Sequence, residues 1–103
     1  MKVSWSKRAA KSAQTNATYI YKEFGRQASQ KFLLEIAHVS KLLEENPYLG
    51  PIEPLLMYKK KQYRSIVVNR LNKMVYYIKG ETIRVAAVWD TRKEPNTLSN
   101  QLK

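Results

Sequence analysis

Residues 63–89 contain three consecutive runs, "YRSIVV", "KMVYYIK" and "TIRVAAVW", each rich in Val, Ile or Tyr. β-Branched and aromatic side chains fit a pleated, half-buried surface, so each run reads as a strand. The links between them, "NRLN" and "GE", are of hairpin length, which makes the three strands an antiparallel meander. No other feature limits the fold as strongly, because a meander with an apolar side needs a second layer packed on it.

Residues upstream supply that layer. Ser4 or Ser6 offers an N-cap for a helix running to about Phe24. Along it Ala10, Ala13, Ala17, Ile20 and Phe24 recur at steps of 3 and 4, with Tyr21 beside them. Gly25 is placed to end this helix. A second helix fits from about Gln27 to Glu45, with Phe32, Ile36, Val39 and Leu43 as its stripe, and Asn46-Pro47 stops it. So short a break predicts an antiparallel helical hairpin. Leu34 and Leu42 lie on the other side of this helix, in line with His38. That patch is either amphipathic overflow or a candidate protein-contact face.

"KVSW" at residues 2–5 is a short strand candidate, expected at a sheet edge, and "PYLGPIEPLL" is a loop because of its prolines and glycine. The expected order is β-α-α-β-β-β, an α+β domain over residues 1–103 with a helical hairpin on a mainly antiparallel sheet. Trp89 reads as core, sharing a strand face with Ile83, Val85 and Ala87, and Trp5 reads as core too.

Charge then limits function. Nineteen Lys and Arg oppose eight acids, giving +11 and a pI near 10. Residues 58–103 alone hold 11 cations and 3 acids, a net +8, whereas residues 32–57 hold 1 and 4. A field of one sign costs stability through self-repulsion and points to a polyanionic partner: RNA, DNA or an acidic protein. The absence of cysteine excludes disulfides and thiolate metal sites. No apolar stretch reaches the ~20 residues of a membrane span, and the N-terminus lacks a signal-type apolar run. These features predict an intracellular, cytoplasmic chain with no membrane role, no metal and no cofactor.

The opening "KVSWSKRAAKS", the helix exit "LLEENPYLG" and the set "YRSIVV…KMVYYI…TIRVAAVWDTRKEP", taken in this order, resemble the RelE/ParE superfamily of toxins from bacterial type II toxin–antitoxin pairs. The resemblance spans nearly the whole chain. It implies a growth-arresting toxin with a cognate antitoxin. RelE-like members are ribosome-dependent mRNA endonucleases, and ParE-like members poison DNA gyrase. A basic nucleic-acid-binding module without toxicity is the remaining reading.

Metal-free RNA cleavage by 2′-hydroxyl attack needs a base, an acid and cations on the scissile phosphate. The resemblance assigns the cations to Arg64, Lys73 and Arg92, with Arg92 in place of the family's phosphate-binding arginine. Hairpin pairing of the strands bearing 64 and 73 suggests that these residues converge at one sheet edge. Lys59, Lys60, Lys61, Arg70 and Lys93 are additional candidate nucleic-acid or target contacts, sequence-blind and salt-dependent. The base is harder to find. His38 sits mid-helix as a solvated residue, and Asp90 reads as a turn residue bonded near Arg92. Tyr76 and Tyr77 point to opposite faces, so one could reach the site, but they, like Tyr58 and Tyr63, read first as sheet packing. Lys73 would serve as a base only with a strongly lowered pKa. RelE-like enzymes generally place a Tyr or His after the last strand, whereas here "KEPNTLSNQLK" has neither. Phosphate clamps without a base favour the gyrase-directed kind. An acidic, partly disordered antitoxin that folds as it wraps would neutralise so basic a surface, with Leu34, Leu42 or the Ala-rich helix contributing.

Overall fold

The computed structural model describes residues 1–93, 98 and 102. Its elements are β1 (Lys2–Trp5), α1 (Lys7–Phe24), α2 (Arg26–Glu45), a single 3₁₀ turn (Pro54–Leu56), β2 (Arg64–Val68), β3 (Asn72–Lys79) and β4 (Thr82–Asp90). The halt expected at Pro95 lies outside the described residues. The sheet order is β1-β4-β3-β2: the predicted antiparallel meander, with β1 added parallel to β4 at the edge. The architecture is α+β, two helices on a four-stranded sheet.

Ser6 is the N-cap of α1, its hydroxyl accepting the Ala9 N–H at 2.9 Å. Gly25 separates the helices at φ 95°, a left-handed conformation open to glycine, and its N–H donates to Tyr21 O at 2.9 Å. The Ser29 hydroxyl then donates to Ala17 O at 2.9 Å and ties the second helix to the first. The buried stripe of α1 is Ala9, Ala13, Asn16, Ala17 and Ile20. This corrects the expected stripe: Ala10 faces solvent, and Tyr21 and Phe24 are exposed. Trp5 is half-buried rather than fully in the core.

β1 pairs only with Thr82–Val85, so the remainder of β4 has no strand on that side. Polar side chains of α1 take its place. The Ser6 hydroxyl donates to Ala86 O at 3.3 Å. Ser12 Oγ accepts the Val88 N–H at 2.9 Å, and Asn16 Nδ2 reaches Val88 O at 3.2 Å and Asn72 Oδ1 at 2.8 Å. Backbone groups that would cost free energy if buried unpaired are thereby satisfied, and a bare sheet edge is covered.

The sheet is apolar on both faces. One cluster lies under the helices: Phe32, Ile36, Val39 and Leu43 against Val68, Met74, Tyr76, Ile83, Val85 and Val88. A second, on the other face, joins Leu56, Tyr63, Val75, Ala87, Trp89, Leu98 and Leu102. Trp89 is core, as expected, but not with Ile83 and Val85. Val75 opposes Ala87 while Tyr76 opposes Val85, leaving Ala86 as an extra residue on β4. This bulge reverses the alternation, so Ile83 and Val85 face the helices while Ala87 and Trp89 face away.

Candidate functional site

Because facing residues of paired strands point to one side of the sheet, the register places each candidate cation. Arg64 opposes Tyr76, whose ring is in the helix-side core, so Arg64 lies on that side at the start of β2. It donates from Nη1 to Gly50 O at 2.8 Å and lies 5.0 Å from the Tyr48 ring. Lys73 opposes Val67 and Trp89 on the other side. Arg92 follows β4, with its guanidinium 5.1 Å from the ring of Tyr19 on α1. The three therefore do not converge. Arg64 and Lys73 are on paired strands but three positions apart, an odd step that in a period-2 strand means opposite faces.

Arg92 is held by Asp90, which accepts its Nε–H at 3.0 Å and an Nη2–H at 2.8 Å. Its backbone N–H also bonds Asp90 at 2.9 Å, as the reading of Asp90 as a bonded turn residue requires. These bonds hold the Asp90 carboxyl below its usual range and raise the Arg92 guanidinium, first through Asp90 and then through Tyr19. Arg92 shares a groove of about 450 Å³ with Arg70. Asn16, Asn72 and Leu71 also line it. Asn69 and Arg70 form the turn above it with φ of 50° and 59°. Asn tolerates that region, Arg less so, and the Glu35 carboxylate fixes the turn by accepting the Asn69 N–H at 3.0 Å.

Lys73 is committed to Glu53, a residue that the sequence reading passes over. Its Nζ lies 2.6 Å from Glu53 Oε1. Ser65 Oγ donates to the same oxygen at 3.0 Å, and the Leu55 N–H to Oε2 at 2.7 Å. The Glu53 side chain is 0% exposed, and that of Lys73 is 25% exposed. Burial pushes the Glu53 carboxyl upward, but the bonds from Lys73, Leu55 and Ser65 outweigh it and leave a lowered pKa. The signal for it was present: Glu53 is the lone acid in the proline-framed, apolar "PIEPLL".

Tyr63, Tyr76 and Tyr77 pack on the sheet as expected, but Tyr58 does not: it precedes β2 and is 71% exposed. Tyr76 and Tyr77 face opposite sides. The Tyr76 hydroxyl is buried, donating to Pro47 O at 2.8 Å and accepting the Gly50 N–H at 3.0 Å. Burial raises its pKa despite the Gly50 bond and the Arg64 charge. Tyr63 is buried edge-on to Tyr77, with centroids 5.6 Å apart. A Cβ added at Gly50 would stand 2.7 Å from Ser65 O and 2.9 Å from the Tyr76 hydroxyl. Gly50→Ala is therefore expected to cost about 1–3 kcal/mol, read as a lower urea midpoint. An unchanged midpoint would show that this close approach is not required.

The remaining candidates are dispersed. Lys59 is half-buried and lies 5.7 Å from the Tyr58 ring, Lys60 is exposed, and Lys61 lies 4.6 Å from the Tyr77 ring. Lys93 is exposed beside Arg92, and His38 is exposed on α2. Leu34 is 71% exposed, and Leu42 is half-buried. Among the described residues no helix is long and apolar enough to cross a membrane.

A sequence-family model described as "ParE toxin of type II toxin-antitoxin system, parDE" matches residues 3–95. No curated protein sequence matches the chain. Among solved structures, the fold is similar to a chain of "Chromosomal ParDE TA system from P. aeruginosa", with TM-score 0.72, 18% identity, and coverage of 87% of this chain and 95% of that one. It is also similar to "The structure of YoeB dimer from Staphylococcus aureus", with TM-score 0.56, 18% identity, and coverage of 85% and 93%.

Proposed function

Since this chain belongs to the ParE toxin family of type II toxin–antitoxin systems, we propose that it arrests growth by poisoning DNA gyrase and is neutralised in the cytoplasm by an acidic antitoxin. Glu53 carries the choice of target. A nuclease that uses a 2′-hydroxyl needs a base within hydrogen-bond reach of that hydroxyl. Glu53 stands beside the candidate phosphate cation Lys73, and it is fully buried with both oxygens occupied. Asp90 is bound by Arg92, and Tyr76 is sealed in the core. The two carboxylates ion-paired with candidate cations, Glu53 with Lys73 and Asp90 with Arg92, are therefore already engaged rather than free to take a proton. That arrangement suits a surface that grips a target rather than one that cleaves a phosphodiester. The antitoxin reading draws on the net charge of +11, which an acidic segment would complement.

The test uses purified chain with gyrase, ATP and supercoiled plasmid, in parallel with primer extension on translating ribosomes. The expected result is gyrase-dependent DNA breaks with no codon-spaced mRNA cuts. Arg92→Ala is expected to raise the toxin concentration needed about tenfold, the loss of one charge-assisted hydrogen bond. Codon-spaced cuts that vanish in Arg64→Ala or Arg92→Ala would replace this reading with the mRNA endonuclease. Neither activity, with no growth arrest on expression, would leave a plain nucleic-acid-binding module.

A further inference from the structure

Cations from α1, the loop before β2 and strands β2, β3 and β4 gather about one end of the sheet, and of these only Arg64 enters the reading above. Tyr77 of β3 stands opposite Arg84 of β4, and Arg84 opposite Ser4 of β1. A cleft of about 190 Å³ is lined there by Arg8, Lys61 and Arg84, with Ser6, Tyr63 and Tyr77. A second cleft, of about 420 Å³, shares Lys61 and Tyr77 and adds Arg64, Lys79 and Tyr48. Two adjoining clefts thus carry five cations, and no acidic side chain lines either among the described residues.

Among the described residues these cations have no acidic partner. Arg8 occupies the first turn of α1, which holds no acid, and the helix dipole disfavours a cation there. Arg84 makes a 3.4 Å contact with Ser4 Oγ, and Lys61 lies over the Tyr77 ring at 4.6 Å. Gathering like charges without acids opposes folding, and a bound polyanion would relieve it. The aromatic rings discriminate between polyanions. A carboxylate gains nothing from the negative face of a tyrosine ring, whereas a nucleobase stacks on it. Tyr48 is 65% exposed, with the Arg64 guanidinium 5.0 Å away to extend the platform. A duplex keeps its bases stacked inside and has none to offer.

We propose that the paired cleft binds single-stranded nucleic acid, with Arg8, Lys61 and Arg84 on backbone phosphates and Tyr48 stacking a base. This goes beyond the gyrase reading and does not depend on it. The experiment is fluorescence anisotropy of a fluorescein-labelled, mixed-sequence 12-nucleotide DNA strand titrated with the full chain at several salt concentrations. The Arg8→Ala/Arg84→Ala double variant is expected to flatten the log–log salt slope by about 1.4, at about 0.7 for each phosphate left without its arginine. Tyr48→Ala is expected to weaken binding about tenfold with the slope unchanged. Lys31→Ala/Lys41→Ala, on α2, should alter neither. An unchanged slope in the arginine variant, or an equal loss in the lysine variant, would overturn the site. Displacement of the strand by equimolar poly-glutamate of matched charge, or tighter binding of the duplex form, would overturn the ligand. If the strand fails to bind while gyrase-dependent breaks persist, this proposal falls and the gyrase reading stands.

Discussion

Lys73→Met is expected to destabilise the protein by about 3–5 kcal/mol at neutral pH, because it leaves the Glu53 carboxylate buried without its cation. For a domain of this size that lowers the melting temperature by on the order of 15 °C or more. The pH dependence separates this cause from simple loss of packing. In the natural chain the folded Glu53 pKa lies below its ordinary 4.5. Its contribution to stability is therefore full above that value and is lost as pH falls through the folded pKa. In the variant, burial remains and the chief opposing bond is gone, so the folded pKa rises. The contribution then reverses sign: it favours folding at low pH and is lost as pH rises through the raised value. The gap between variant and natural chain should shrink from pH 7 towards pH 4 in urea unfolding. A gap independent of pH would mean that Glu53 is not charged in the folded protein.

Trp89→Ala is the second large effect, at about 3–5 kcal/mol. Trp89 is 3% exposed and sits in the cluster with Leu56, Tyr63, Val75, Leu98 and Leu102, away from the helices. Removing it leaves a cavity in a small core to which neither α1 nor α2 contributes a residue. Phe24→Ala is the matched control. Phe24 is 65% exposed at the end of α1, so its loss should stay within about 0.5 kcal/mol. Chemical denaturation of both variants decides the point. Equal losses would mean that the second cluster contributes no more than surface packing.

The two residues also mark what is and is not visible in the sequence. Helix limits were legible because their causes are local: the Ser6 hydroxyl on Ala9 N–H, the left-handed Gly25, and Asn46 before a proline. The meander of the last three strands was legible from link length and β-propensity, whereas the first strand was placed only at an edge and not beside β4. The face of Trp89 was not. Alternation carries no mark of a bulge, and Ala86 is as acceptable in a regular strand as in an irregular one. The α1 stripe slipped from Ala9 to Ala10 for a related reason, since neighbouring alanines differ only in which one the sheet meets. Glu53 was marked only as a lone acid in an apolar stretch; its role was hidden because its partners come from positions 55, 65 and 73, brought together only by the fold. The candidate cations were visible one by one. That Arg64 and Lys73 lie on opposite faces required the register.

The parallel pairing of β1 with β4 sets an order of assembly. Lys2 finds Thr82, and Trp5 finds Val85, across some 80 positions of chain. During synthesis the helical hairpin and the β2–β3 hairpin can form from neighbouring residues, but the first strand must wait for the last. Arg8 and Arg84 become neighbours only when that pairing closes, because Ser6 is pinned to Val85 and Ala86 at the same moment. A ribosome-bound chain that has not yet released β4 therefore lacks this joint surface. The cleft therefore needs both ends of the chain at once, and a chain cut short before Thr82 never acquires it.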